Sequence, residues 1–454
     1  MKKNVRSLFL LNALTLIYSH LFVGFEANAA RQIAETSPTL LRGHQQTGDR
    51  RLHITVLSSR NNLISGDDAL IEIHADKTIG HQFRIKLNDL DVSNQFSSDE
   101  DVGHVRGLLS GLRLGLNTLS VTTESGQSAQ LHLTTWPLQG PIISGPHEQP
   151  FVCMTQEFKL PAIGLSLGPS IDSDCSVKRR VDYVYYSTQG QFKSLPSDKP
   201  RPSDIASIGG ERTSSVPFIV RVETGVINRS IYQISMLHDP ESPGVSPLVK
   251  TAGWNGALLY HFGGGCEGGM YIQGKNTAGV LEEKILRRGF AIASSSLNVY
   301  ANNCDDLLAA ESMMMVKERF IETFGPPTHT IGWGCSGGSY QAEQIGDNYP
   351  GLLDGIVVGC SFPDVGHAGV SVNSFAARLV YDYFKNWAQV PWREEEITAV
   401  SGLADFVALE TAGRRNNRID PKSVCSPSIP ANLLYDAVRN PTGARCSIYD
   451  HGAN

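Results

Sequence analysis

The sequence predicts an α/β chain with a small β-sandwich in front of it. Three observations carry that expectation. After Gly253, short buried apolar runs alternate with amphipathic stretches, the order that builds a parallel sheet covered by helices on both faces. Residues 50–136 instead alternate apolar and polar side chains with period two, in runs divided by turn clusters such as "SGDD" and "ESGQ". The chain opens on Lys2, Lys3 and Arg6, then an apolar run, then "ANA" ending at Ala29, which reads as a secretory signal peptide over residues 1–29.

Export frames the rest of the reading. Removing 29 of 454 residues leaves 425, enough for two or more domains. No other segment approaches the run of about eighteen apolar residues that a membrane helix needs, so a secreted or periplasmic chain without a membrane span is expected. Formal net charge is −6, from 45 acidic and 39 basic residues, with no basic block past the leader. That excludes nucleic acid and anionic membrane surfaces as partners. Eight cysteines, Cys153, Cys175, Cys266, Cys304, Cys335, Cys360, Cys425 and Cys446, form an even set suited to an oxidising compartment. Their order suggests the local pairs 153 with 175, 266 with 304 and 425 with 446, although spacing alone does not fix connectivity. No C-x-x-C pair occurs, so neither a metal nor a cofactor is expected. The sequence sets no oligomeric state.

In the front region, "DALIEIHA" puts Ala69, Ile71 and Ile73 on one face, and "SAQLHLTT" does the same for Ala129, Leu131 and Leu133. With "LGLNTLSVTT" as a further strand, residues 50–136 resemble an immunoglobulin-like sandwich. His53, His74, His104 and His132 lack ligand spacing and are expected at the surface. Residues 137–152, rich in proline and glycine, read as an interdomain linker. A β-rich lead-in to the second domain follows over 153–250. Its clearest part, "PFIVRVETGVINRSIYQISML", is expected to be an antiparallel hairpin turning near Glu223, Thr224 and Gly225. Asn228 opens a sequon, "NRS", relevant only in a glycosylating host.

The remainder reads in order as strand "GALLYHF", helix "NTAGVLEEKILRRG", strand "FAIASSS", helix "DDLLAAESMMMVKERFIETFG", strand "THTIGWG", helix "SYQAEQIGDNYP" and strand "DGIVVGC". Met313, Met314 and Met315 are expected to be core packing. Beyond lie helical stretches, a lid-like tail over 368–454. Two G-x-S-x-G matches occur. "GLSLG" around Ser166 is followed by Pro169, which denies the backbone the helix required behind a nucleophile. Ser336 in "GCSGG" stands between a strand and a helix, where the helix's free N–H groups favour a developing oxyanion. A second glycine element, "HFGGG", ends an earlier strand, so Gly264, Gly265 and Gly337 become the candidate oxyanion donors.

With these motifs the chain resembles secreted serine hydrolases of the tannase and feruloyl esterase type, on "GCSGG", "HFGGG", "GFAIASSSLN" and "YPGLLDGIVVGCSFPD". The resemblance covers most of residues 50–454 and is nearest to bacterial members with an immunoglobulin-like front domain. It implies an α/β-hydrolase domain over 153–454 that cleaves carboxylic esters of small molecules or polymers through an acyl-enzyme on Ser336. It also implies a disulfide from Cys335 to a cysteine beside the catalytic histidine. No "HC" pair exists here, so Cys335 is expected either to bridge to Cys360 or to stay free. The usual loops bearing acid and base after two further strands are not found, which suggests a fold incomplete at its C-terminus. His367, with Asp364 as acid, is the candidate base; His451 is the other downstream histidine. Two rivals stand beside the esterase reading: a catalytically empty extracellular binding protein, and a peptidase on the same scaffold.

Overall fold

Period-two alternation in the front region builds two sheets around one core. The computed structural model describes residues 46–48, 52–75, 83–99, 104–197, 199–209, 216–265, 271–362, 375–414 and 425–446. The leader, Cys266, Asp364, His367 and His451 lie outside the described residues. Strand Asp68–Ala75 belongs to a four-stranded antiparallel sheet and Ser128–Trp136 to a six-stranded one. Ala69, Ile71 and Ile73 from the first meet Ala129, Leu131 and Leu133 from the second, with Leu52, Leu119 and Val121 in the same buried cluster. His53 and His74 are exposed, as the surface expectation has them. His104 and His132 are half-buried, and His74 and His104 are cross-strand neighbours with Nδ1 atoms 3.0 Å apart. Pairing across strands is invisible in linear spacing.

We label the strands of the large sheet β1 (Arg180–Tyr186), β2 (Phe192–Ser194), β3 (Ile219–Ile227), β4 (Ser230–Leu237), β5 (Ala257–Phe262), β6 (Ala291–Ser295), β7 (His329–Cys335) and β8 (Gly355–Gly359). Their order is β2-β1-β3-β4-β6-β5-β7-β8. Strands β6, β5, β7 and β8 are mutually parallel, while β4 runs antiparallel to β6. The sheet is therefore mixed. The expected hairpin exists as β3 and β4, but its turn lies at Asn228 and Arg229, not near Glu223 to Gly225. Both turn residues adopt positive φ, 53° and 57°, as a tight two-residue hairpin demands. Gly225 is mid-strand opposite Tyr232, whose ring comes within 2.9 Å of where a Cβ would stand. Asn228 is buried and its Nδ2 donates to Ser312 Oγ at 3.0 Å, so the sequon is closed.

Two helices, α1 (Asp306–Phe324) and α2 (Gly337–Asn348), pack on one face of the sheet. Asp305 caps α1 by accepting the Leu308 N–H at 2.8 Å. Met313 and Met315 are fully buried among Tyr260, Ala293 and Phe320. The front module covers the other flank of α1: Leu70 joins this core, and the Glu318 carboxylate accepts the Ser65 N–H at 3.0 and 3.1 Å. Residues 137–152 are likewise more than a tether. The N–H groups of Ile142 and Ser144 converge on Glu311 Oε2 at 2.7 and 2.8 Å, and Ser144 Oγ binds Oε1 at 2.9 Å.

The opposite face is lined by Val184, Val220, Leu259, Ile292 and Leu286. Here the helix expected over 276–289 shrinks to one turn, Glu283–Leu286. Side chains take the backbone donors that a longer helix would use: Ser294 Oγ accepts the Ala278 N–H at 3.0 Å and Thr277 Oγ1 the Gly279 N–H at 3.2 Å. Gly279 itself has φ +100°. The tail helices Ala377–Asp382, Glu394–Ser401 and Phe406–Arg414 pack on one another around Ala377, Ile397 and Leu409. Residues 425–446 return to Met154, Tyr271 and Ile272. Among the described residues, no helix is long and apolar enough to cross a membrane.

Candidate active site

Ser336 sits on the one residue between the end of β7 and the start of α2. Its backbone, at φ 59° and ψ −125°, lies where non-glycine residues are rarely found, a strain of order 1–3 kcal/mol that the surrounding structure must hold in place. Three backbone bonds do so. The Ser336 N–H donates to Gly359 O at 3.1 Å, and Ser336 O accepts from Ser339 N–H at 2.9 Å and Tyr340 N–H at 3.2 Å. The hydroxyl takes no part in capping α2 and the side chain is exposed. It is left open to solvent at the helix's positive end.

Cys335 precedes it and is bridged to Cys360, with Cα atoms 5.1 Å apart. Of the two outcomes open for Cys335, the bridge is the one found. Parallel pairing of Cys335 with Gly359 puts the two cysteines within disulfide range. Bridges 153 to 175 and 425 to 446 are also present, and Cys304 is disulfide-bonded as well. Cys360, like Ser336, has positive φ, 53°. The disulfide therefore ties the strained Cys360 to the residue just before the strained Ser336, at adjacent strand ends.

The glycine loop after β5 meets this elbow directly. A Cβ on Gly264 would stand 3.5 Å from Ser336 Cβ and 3.6 Å from Gly337 N. One on Gly337 would fall 2.5 Å from Gly265 O, and one on Gly265, at φ +106°, would strike Ala301 at 2.6 Å. Two backbones pass too closely for side chains on either, which explains glycine on both. Among the described residues, no hydrogen-bond acceptor meets the N–H of Gly264 or of Gly337. Two free donors beside a hydroxyl can receive a carbonyl oxygen that gains charge.

Beneath the loop, Tyr300 N–H donates to Gly263 O at 3.3 Å and Ala301 N–H to Gly264 O at 3.0 Å. Burial and the Asp306 carboxylate push the Tyr300 phenol upward, so it stays protonated and donates to Asp306, which also accepts from Tyr340 at 3.1 Å. Ser166, rejected from sequence, lies in a bridged loop with its hydroxyl accepting the Gly168 N–H at 3.1 Å. Asp364, His367 and His451 fall outside the described residues, and among those residues no group hydrogen-bonds Ser336 Oγ. Sequence reading missed Gln341 and Asn298, both fully buried behind the glycine loop. The available signal was Gln341 four residues after Gly337, one helical turn on and facing the same side.

The site is thus a strand-to-helix serine facing a glycine loop, on a mixed sheet with two helices packed on one face. Residues 54–454 match the model of a tannase-like family of unknown function (DUF6351), and the chain belongs to that family. It is also similar to an o-phthalyl amidase of Xanthobacter agilis, 25% identical over 116 residues. That match covers 25% of this chain and 24% of the amidase, so the chain spans about a quarter of the curated relative it matches.

Proposed function

We propose that the protein is a secreted serine hydrolase of carboxylic esters, with Ser336 as nucleophile and Gly264 and Gly337 as oxyanion donors. The observation that carries this reading is the contact of the two glycine elements, with Gly264 lying 3.5 Å from Ser336 Cβ at the Cβ position it lacks. The sheet supports it too. An antiparallel strand followed by the crossed order β6-β5-β7-β8, with the serine after β7, is the arrangement of an α/β-hydrolase. The disulfides and the leader fit export, and the front module of residues 50–136 fits an immunoglobulin-like sandwich.

In the proposed reaction Ser336 Oγ attacks the acyl carbon and its proton passes to a base. The carbonyl π pair moves onto oxygen, which accepts from the Gly264 and Gly337 N–H groups. Collapse expels the alkoxide, which takes the proton, and water then releases the acid from the acyl-enzyme by the same steps. His367 is the proposed base and Asp364 its acid. His367 follows Cys360 by seven residues, and Cys360 is anchored to the residue before Ser336. Amide hydrolysis is the second reading, favoured by the similarity to an amidase. Initial rates on p-nitrophenyl esters and matching p-nitroanilides separate the two. Ser336→Ala should abolish turnover with a melting temperature close to wild type, because the side chain is exposed. Wild-type turnover in Ser336→Ala removes the assignment; ligand binding with no turnover by the unaltered chain favours a binding protein instead.

A further inference from the structure

We infer that Gln341 is a positioning residue that aims the Gly264 N–H at the substrate carbonyl. This rests on the assignment of Ser336 as nucleophile. Gln341 is completely buried on α2, one turn behind Gly337, and its carboxamide joins the two halves of the site. Nε2 donates to Gly263 O at 2.9 Å and lies 3.4 Å from Gly337 O. Gly263 O belongs to the same planar peptide as the Gly264 N–H, and in a trans peptide those two bonds point in opposite directions. Fixing the carbonyl toward Gln341 therefore turns the N–H away from the core. Tyr300 N–H also reaches Gly263 O, but at 3.3 Å against 2.9 Å for Gln341, so without the carboxamide this glycine peptide would be aimed by the longer contact alone.

The tether is itself held. Asn298 Nδ2 approaches Gln341 Oε1 at 3.4 Å and donates to Ala309 O at 2.8 Å. Asn298 Oδ1 accepts from Tyr260 Oη at 2.8 Å and Ser295 Oγ at 2.7 Å, while its backbone O accepts the Gly263 N–H at 2.8 Å. Burial keeps the Tyr260 phenol protonated and donating. Strand β5, the segment after β6 and helix α2 thus converge on one carboxamide, whose shortest bond is to Gly263 O. A group needed merely for packing would be apolar here; a satisfied buried amide orients what it binds.

The test is steady-state kinetics on a p-nitrophenyl ester with Gln341→Leu, Gln341→Glu and Ser336→Ala. Gln341→Leu keeps the volume and removes the donor. It should lower kcat by about tenfold to a hundredfold, less than loss of a whole oxyanion donor, while KM changes by less than about threefold. Gln341→Glu, buried between carbonyl oxygens, should stay protonated at neutral pH, donate to Gly263 O and keep most of kcat. Raising the pH should ionise it and add a step down in kcat that the unaltered protein lacks. A folded Gln341→Leu with kcat within twofold of wild type overturns the inference, as does a loss carried by KM alone. Should Gln341→Leu fail to fold, the pH profile of Gln341→Glu decides, and a constant ratio to wild type overturns it. Full turnover in Ser336→Ala overturns both this inference and the nucleophile; an inactive Ser336→Ala beside a fully active Gln341→Leu overturns the inference alone.

Discussion

At the scale of single residues, the site depends on what is missing from Gly264. A branched side chain there would meet Cys335 O at 3.0 Å with its first carbon and would push the loop off Ser336 with the rest. Gly264→Val is therefore expected to lose about two orders of magnitude or more in kcat, the size of a lost or misdirected oxyanion donor. The fold should survive, because the loop lies at a strand end. Unchanged kinetics in a folded variant would take the "HFGGG" segment out of the site. The strand-to-helix turn at Ser336 was legible in the sequence because its constraint is local: a strand, a tight turn and a helix must follow one another within a few positions. The placement of Gln341 was not, since its contacts exist only once Gly263, Asn298 and Gly337 are brought together from three elements.

At the scale of elements, α1 carries a charge arrangement that no periodicity announces. Glu318 and Glu322, one turn apart, are both buried against the front module. Burial raises the Glu322 carboxyl well above its usual range, and the neighbouring Glu318 and Asp68 raise it further; Arg319 only partly opposes them. Burial also raises Glu318, against the Ser65 hydrogen bonds, and raises Asp68. Glu223, on β3 nearby, goes the other way. Burial opposes it, but the Arg319 and Arg221 guanidiniums outweigh that and bring it to about 2. The signs follow by linkage. For the raised pair the folded state binds more protons than the unfolded one, so their stabilisation is complete below about 4.5 and is lost as pH rises toward the folded values. The Glu223 contribution is present above 4.5 and is lost as pH falls toward 2. Glu322→Gln should thus raise the melting temperature at pH 8 and leave it nearly unchanged at pH 5. Parallel melting curves across that range, measured by differential scanning fluorimetry, would show that α1 holds no such strain. The hairpin taught the reverse lesson about elements. Gly225 draws the expected turn toward mid-strand, whereas Asn228 and Arg229 make it: asparagine tolerates positive φ, and the pairing of both strands holds Arg229 there beside it.

At the scale of the whole molecule, the alternation after Gly253 foretold a helix-covered parallel sheet, and four parallel strands are present. What it did not foretell is that the β-rich lead-in contributes β1 to β4 to the same sheet, or that the front module and residues 137–145 close over α1 through Glu318 and Glu311. Those contacts join residues more than 150 positions apart, and only the folded chain specifies them. Everything in the functional account nevertheless passes through one atom, Ser336 Oγ. Its activation is read most directly by incubating the unaltered protein with a fluorophosphonate, then measuring intact mass and mapping the modified peptide. A single phosphonyl adduct on Ser336 is expected, absent from Ser336→Ala and slowed in Gly264→Val. A folded protein that stays unmodified, or that is labelled at any other serine, would contradict it.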